Sequence, residues 1–203
     1  MYSSRTGLIL AFHGCDESVI DDVVRQNRPF KFKENKWDWL GHGAYFWDNS
    51  PSRALEFATA LSKKKDSSIK KPAVLGAVID LGHCLDLLDY QNLSSLKDSY
   101  HLLQATIEVS KFSLLKNKAP KGEEQDLLIR ELDCAVIEML HKLRERQKFR
   151  PYDSVRGVFW EGSPLYPDAG FREKDHIQIC IRNPNCIKGC FIPRESDDNF
   201  SPV

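Results

Sequence analysis

The longest apolar runs in this chain have the length of a β-strand, which limits the folds open to it. Two such runs are Gly7 to Phe12 and Ala73 to Leu81. A helix that crosses a bilayer needs about 18 to 20 consecutive apolar residues, so no membrane-spanning segment is expected. Runs of this length are typical of buried strands. The first run ends at His13-Gly14, where a turn is expected to stop the strand.

Composition excludes some function classes. The chain has 203 residues, with 29 Lys and Arg against 29 Asp and Glu, so its formal net charge is zero. A protein that binds nucleic acid through a broad basic face needs an excess of Lys and Arg to displace phosphate counterions, and this chain lacks that excess. Hydrophobic residues make up 41% of the sequence, which is enough for a folded core.

The six cysteines and the amino-terminal segment indicate a cytoplasmic protein. The cysteines form no C-x-x-C pair, and most stand in apolar runs, where Cys behaves as a small hydrophobe. Cys180, Cys186 and Cys190 have no fourth ligand at a standard zinc spacing, so no metal is expected. The apolar stretch before His13 is too short for a secretory signal. Reduced thiols and a cytoplasmic location are therefore predicted.

Helical and strand patterns alternate along the chain. Asp16 is placed to cap a first helix, and Ser50-Pro51 opens a second, since proline favours the first helical position. Between about residues 92 and 148 the pattern is helical. Strand patterns return at Val155 to Glu161, His176 to Ile181 and Cys186 to Ile192. We predict one mixed α/β (α+β) domain over residues 1–203 that carries a helical insertion at about 92–148.

Two short motifs are candidates for a ligand site. Phe12-His13-Gly14 sets a histidine at the end of a buried strand, beside a glycine that lets a ligand approach the backbone. The segment Gly41-His42-Gly43-Ala44-Tyr45-Phe46 has two glycines before an aromatic strand, and the following helix carries Phe57. This pattern favours a flat slot that holds a planar ring. A core aromatic cluster is the alternative interpretation of the same residues.

In these motifs the chain resembles the ADP-ribosyltransferase superfamily, and within it the branch of diphtheria toxin and the poly(ADP-ribose) polymerases. That family has a first-strand His-Gly, a Gly-x-Tyr-Phe followed by a helix with an aromatic residue, and a late strand that opens with glutamate. The resemblance extends over roughly Leu8 to Phe191, although the helices between residues 92 and 148 match none of it. It implies a split, strongly twisted mixed sheet with flanking helices that holds NAD between its two halves.

The resemblance also implies which residues bind NAD. In the family the histidine bonds the ribose, and the backbone of the next glycine pairs with the nicotinamide carboxamide; His13 and Gly14 match these. The tyrosine and the helix aromatic pack on either side of nicotinamide, and Tyr45 and Phe57 match them by position. Ser52 is the best match, to within one position, for a hydroxyl that bonds the carboxamide. The full set of predicted NAD-binding residues is His13, Gly14, Gly43, Tyr45, Ser52 and Phe57.

The late strand departs from the family pattern. The family's glutamate polarises the ribose 2′-hydroxyl and stabilises the cation that forms as nicotinamide leaves. The matching position here is His176 or Gln178, and neither is an anion. Strand alternation places His176, Gln178 and Cys180 on one face, which we expect to point at the cleft. The nearest carboxylates, which could move in once substrate binds, are Glu161, Glu173 and Asp175.

These motifs predict an NAD-dependent enzyme with His13, Tyr45, His176 and Gln178 as its candidate catalytic residues. Branches of the family without the glutamate generally do not elongate polymers, so we expect mono-ADP-ribosyl transfer from NAD, the co-substrate, to a macromolecule, either protein or nucleic acid. A toxin or defence role is typical of small free-standing members. Two alternatives stay open: an NAD glycohydrolase that transfers ADP-ribose to water, and a catalytically silent module that binds NAD or ADP-ribose.

Overall fold

A computed structural model describes residues 7–110, 113, 115–120, 126–195 and 198–201, and the ends of the predicted domain lie outside these ranges. The strands are β1 Ile9–Asp16, β2 Ala44–Asp48, β3 Pro72–Ile79, β4 Cys84–Asp86, β5 Asn117–Lys118, β6 Ile129–Arg130, β7 Ser154–Phe159, β8 His176–Ile181 and β9 Ile187–Phe191. The α-helices are α1 Glu17–Ile20, α2 Pro51–Ser62, α3 Tyr90–Ser110 and α4 Glu131–Arg146. A π-helical turn, Asp21–Arg25, extends α1, and a short 3-10 turn, Pro184–Cys186, precedes β9.

Seven strands form one mixed sheet in the order β4-β7-β8-β2-β1-β3-β9, and β5 and β6 form a separate pair. The neighbours β4 and β7 run parallel, and all other neighbours in the sheet run antiparallel. The prediction of a mixed α+β fold with flanking helices is thereby confirmed. The seven strands belong to one sheet, in which the ladder between β1 and β2 has two residue pairs. A split of the sheet into two halves that hold NAD stays a prediction.

The first strand does not stop at His13-Gly14, and that prediction was wrong. Strand β1 continues to Asp16 because β3 pairs with it along its whole length. The backbone hydrogen bonds of that ladder outweigh the preference of glycine for a turn. Asp16 then caps α1 as predicted, since its side chain accepts a hydrogen bond from the backbone N–H of Ser18 at 3.1 Å.

The helices begin close to where their sequence signals place them. Helix α2 starts at Pro51, which occupies its first turn as predicted. Helices α3 and α4 lie in the segment where the helical insertion is predicted, and they pack against each other. None of the helices in the described ranges is long and apolar enough to cross a bilayer.

The two faces of the sheet are covered by different helices. On one face, α1 and the π-helical turn pack over Leu75 of β3. On the other face, α2 packs over Trp47 of β2, and α4 packs over Cys180 of β8. Strands β2 and β8 are neighbours, so the seam between α2 and α4 runs above them. The candidate residues of β2 and β8 lie along this seam.

Candidate functional site

His13 lies where the two central strands separate. The ladder between β1 and β2 contains two residue pairs, with Ala11 opposite Asp48 and Phe12 opposite Trp47. At the next position of β1, the imidazole Nδ1 of His13 bonds the backbone carbonyl of Tyr45 at 2.7 Å. The side chain therefore makes the link between β1 and β2 where the backbone ladder has ended.

The surroundings of His13 fix its protonation and orientation. A carbonyl oxygen can only accept, so Nδ1 carries the hydrogen and Nε2 is left as the second bonding atom of the ring. The ring packs edge-on against Phe30 at 5.0 Å between centroids and lies 5.7 Å from Phe46. Burial lowers the pKa of His13 below its ordinary value. The ring is thus a neutral, fixed group with Nε2 able to accept a hydrogen bond.

Gly14 and Gly43 are glycines for packing reasons. A Cβ on Gly14 would lie 2.1 Å from the backbone oxygen of Ala54 in α2, and a Cβ on Gly43 would lie 2.4 Å from that of Ile181 in β8. Either contact would force the backbone of the glycine away from the neighbouring helix or strand. Close approach of helix and strands accounts for both residues, and their contact with NAD stays a prediction.

Tyr45 uses its hydroxyl to hold the loop before β2. The hydroxyl accepts from the backbone N–H of Leu40 at 2.9 Å and donates to the carbonyl of Gly41 at 2.8 Å. Burial raises the pKa of Tyr45 well above its ordinary value. The phenol is therefore neutral and engaged, and a ligand at this position would meet its ring.

Phe57 lies against a different aromatic residue from the one expected. Among the ring contacts of the described residues, Phe57 pairs with Trp47, at 5.0 Å between centroids, and not with Tyr45. Ser52 is exposed and lines an open groove of about 460 Å³ along the outer side of α2. None of the other predicted NAD-binding residues lines this groove. The structure therefore brings Phe57 to the seam and leaves Ser52 away from it.

Gln178 is held by a tryptophan from the loop before β2. Trp39 Nε1–H donates to Gln178 Oε1 at 2.6 Å. Because the oxygen is engaged in this way, the amide turns its NH₂ group in another direction. Gln178 also pairs directly with Trp47 across the β2–β8 ladder. Cys180 shares this face but is fully buried beneath α4, so the prediction that it faces the cleft was wrong.

His176 lies two residues before Gln178 on the same face. Its Nδ1 bonds the backbone carbonyl of Lys174 at 2.6 Å. Its ring stacks on Phe159 with centroids 5.3 Å apart and planes inclined by 18°. On its other side the ring of Trp47 is 6.1 Å away. Burial lowers the pKa of His176 to about 4, so the imidazole is neutral near pH 7.

The loop carboxylates that could replace the family glutamate are already engaged. Glu161 binds Arg53 of α2 at 2.6 Å. Glu173 accepts from the backbone N–H of Ser163 at 3.3 Å, and Asp175 accepts from that of Arg172 at 2.9 Å. Each would have to exchange these partners before it could reach a substrate.

Two residues at the seam were missed by the sequence analysis. Trp47 and Arg53 each keep a buried nitrogen, Nε1 and Nε respectively, with no hydrogen-bond partner among the described residues, and so does His176 with Nε2. The Arg53 guanidinium carbon lies 5.9 Å from the centre of the Trp47 ring. Strand alternation from Tyr45 could have placed Trp47 on this face, but no local signal marks Arg53.

Comparisons with known proteins do not assign the chain to a family: no family model, no curated protein and no solved structure matches it. Within the described ranges, no three His, Cys, Asp or Glu side chains are grouped so that they could hold a metal ion. The arrangement at the seam consists of aromatic rings, neutral hydrogen-bonding groups and the ion pair of Arg53 with Glu161, which suits an organic ligand with a planar part.

Proposed function

We propose that this protein is an NAD-dependent mono-ADP-ribosyltransferase that modifies a macromolecule, either protein or nucleic acid. The observation that carries the proposal is the adjacency of three strands. His13 on β1, Tyr45 on β2 and Gln178 on β8 are far apart in sequence, yet their strands are consecutive in the sheet. The strand registers set Tyr45 and Gln178 on one face of the sheet and His13, opposite Leu75, on the other face. The three residues would therefore meet one ligand where the β1–β2 ladder has ended.

The chemistry of transfer requires the C1′ atom of the ribose to carry positive charge as nicotinamide leaves. His13 Nε2 would accept from a ribose hydroxyl, because Nδ1 is already bonded to the carbonyl of Tyr45. From the opposite face, the NH₂ group of Gln178 would orient the ribose through one of its oxygens, across the gap that follows the two β1–β2 residue pairs. Only interactions that strengthen as charge develops raise the rate, so a site without an anion here would cleave NAD slowly. Transfer of a single ADP-ribose is what the family resemblance implies.

A silent NAD-binding module is the second candidate, and a specific observation favours it. Gln178 is neutral and its amide oxygen is already bonded to Trp39, so it offers no negative charge to the developing cation. Binding of NAD would survive this loss, whereas cleavage would be slow. The glycohydrolase alternative differs from transfer only in that water is the acceptor.

One assay separates these functions. Purified protein is incubated with NAD, and nicotinamide, free ADP-ribose and ADP-ribosylated macromolecules are measured. Transfer gives nicotinamide and modified protein or nucleic acid, while hydrolysis gives nicotinamide and free ADP-ribose. NAD binding by calorimetry without nicotinamide release identifies the silent module. Absence of both binding and release contradicts all three.

Cellular setting is part of the proposal. All six cysteines are free thiols, and five of them are buried, which supports a reducing compartment such as the cytoplasm. We also propose a toxin or defence role, which is typical of small free-standing members of the family that this chain resembles and is compatible with a cytoplasmic location.

Replacing Phe57 by alanine should weaken NAD binding about 2- to 12-fold, because an aromatic contact contributes about 0.5 to 1.5 kcal/mol beyond its buried area. Phe57 is 37% exposed and packs on Trp47, so its ring is open to a planar ligand. Calorimetry with NAD measures the change. Leu55→Ala, an exposed residue of the same helix, is the control, and equal affinities for both variants would exclude Phe57 from the site.

Replacing Gln178 by glutamate should raise nicotinamide release about tenfold or more, since about 1.4 kcal/mol of cation stabilisation corresponds to a factor of ten. One carboxylate oxygen can keep the bond from Trp39 that Oε1 now accepts at 2.6 Å, while the other replaces the NH₂ group with negative charge. Initial rates of nicotinamide release measure the effect, with Gln178→Met as the uncharged control. If Gln178→Glu and Glu161→Gln both abolish release, the loop supplies the anion instead.

A further inference from the structure

Trp47 and His176 each have a buried nitrogen without a partner in the part of the chain that the structure describes, and the two nitrogens have complementary roles. Trp47 is 2% exposed, and its indole Nε1–H can only donate. His176 donates from Nδ1 to the carbonyl of Lys174 at 2.6 Å, so its other nitrogen, Nε2, carries a lone pair and accepts. Their rings are 6.1 Å apart, centre to centre, and the two atoms do not bond each other.

A single group could satisfy both nitrogens. It would have to accept a hydrogen bond from Trp47 and donate one to His176. A hydroxyl group or a water molecule does both through one oxygen atom, whereas a carboxylate or a phosphate diester has no hydrogen to donate. Burying a polar group without a partner costs free energy. The fold has already incurred this cost for both nitrogens, so a ligand that bonds them would gain two hydrogen bonds without a further desolvation cost at these atoms.

We propose that Trp47 and His176 hold the hydroxyl nucleophile of the reaction, with Trp47 Nε1–H bonded to its oxygen and His176 Nε2 as the base that takes its proton. The inference rests on the proposed function and names the substrate class at the acceptor side: water, or an alcohol such as a side-chain or ribose hydroxyl. His176 thereby becomes a catalytic residue with a defined role.

The step is a substitution at C1′ of the ribose that is joined to nicotinamide. The oxygen of the acceptor forms a bond to C1′ while the bond from C1′ to the nicotinamide nitrogen breaks, and its electron pair stays on nicotinamide. The acceptor proton passes to His176 Nε2 and then to solvent. One NAD and one alcohol or water give one ADP-ribosyl product, one nicotinamide and one proton.

The surroundings of His176 suit this role. Stacking on Phe159 and the bond to Lys174 fix the plane of the ring, so the base is already oriented. The charged groups that act on it are Arg53 and Glu56 from α2 and Asp175 from its own loop. Arg53 is itself paired with Glu56 and Glu161, which leaves a nearly neutral environment for a neutral base.

The first test replaces His176 by glutamine and supplies NAD in water with methanol as a second acceptor. The parent is expected to form ADP-ribose and O-methyl ADP-ribose. The variant should form both about 100-fold more slowly, the lower end of the usual contribution of a general base, because burial lowers the pKa of His176. NAD affinity by calorimetry and the melting temperature should change little. His101→Gln, at an exposed position of α3, is the matched control.

The second test adds azide, a nucleophile that has no proton to lose. Azide should restore nicotinamide release by His176→Gln and give ADP-ribosyl azide, while it should barely accelerate the parent. Trp47→Phe removes the donor and keeps an aromatic ring, so it should lower methanolysis and hydrolysis and respond weakly to azide. A merely structural role of His176 would not be rescued.

The outcomes separate this inference from the proposed function. A parent that releases no nicotinamide overturns both. Two results overturn the inference alone, provided that the parent releases nicotinamide. In the first, His176→Gln is as active as the parent. In the second, His176→Gln folds and binds NAD but is inactive and does not respond to azide. Slow cleavage by the variant that azide restores supports it.

Discussion

Replacement of Arg156 by alanine should lower the free energy of unfolding by about 3 to 5 kcal/mol, the usual cost of removing one partner from a buried ion pair. Arg156 is 6% exposed. Its guanidinium bonds Asp48 at 3.1 Å and Asp86 at 3.3 Å, so it joins three strands of the sheet, β2, β7 and β4. Without it, two partly buried carboxylates lose the guanidinium that they share.

Urea denaturation followed by circular dichroism measures this effect. Arg150→Ala is the control, because Arg150 is exposed and pairs with Asp153 at the surface, where an ion pair is worth about 0 to 1 kcal/mol. Equal losses in the free energy of unfolding for Arg156→Ala and Arg150→Ala would contradict the role of Arg156 as a buried ion-pair partner. Arg156→Lys, which keeps the charge but not the forked geometry, should fall between the two.

Replacement of His13 by asparagine should reduce nicotinamide release about ten- to hundredfold while leaving the fold nearly as stable as before. The asparagine NH₂ group can take the place of Nδ1 and keep the bond to the carbonyl of Tyr45, which is 2.7 Å long in the parent. It has no counterpart of Nε2, so it loses one hydrogen bond to a charge-developing ribose, worth about 1.5 to 3 kcal/mol.

His13→Ala separates the two roles of the histidine. It removes the ribose contact and also leaves the carbonyl of Tyr45 without its partner, which adds a loss of about 1 to 3 kcal/mol in stability. Melting curves and nicotinamide release are measured for both variants, with His101→Asn as the control. If His13→Asn retains full activity, the histidine serves only to join β1 and β2.

Several elements could be predicted from the sequence because their signals are local. The alternation in HIQICI predicted β8 with the bounds that the structure has, and Ser50-Pro51 marked the start of α2. Asp16 was identified as a helix cap. Such signals depend on the conformational preferences of a few consecutive residues, so no knowledge of distant contacts is needed to read them.

Other features depend on which strands and helices meet. Strand β1 runs past His13 only because β3 pairs with it as far as Asp16. Cys180 shares the alternation of Gln178 but is buried, because α4 covers that end of β8. Periodicity states which residues share a face, and only packing decides what covers each part of that face.

The sequence by itself determined strand β8 and the start of α2 near the site, although it misplaced the end of β1. His13, Tyr45 and Gln178 became candidates because they match the family's motifs by position. Tertiary structure alone decided that their strands are neighbours and that Trp39, 139 residues before Gln178, holds its amide oxygen. It also decided that the rings of Trp47 and His176 lie 6.1 Å apart, each with a buried nitrogen that has no partner among the described residues. These contacts join residues far apart in the chain, and their geometry depends on how the helices pack on the sheet, which no local propensity encodes.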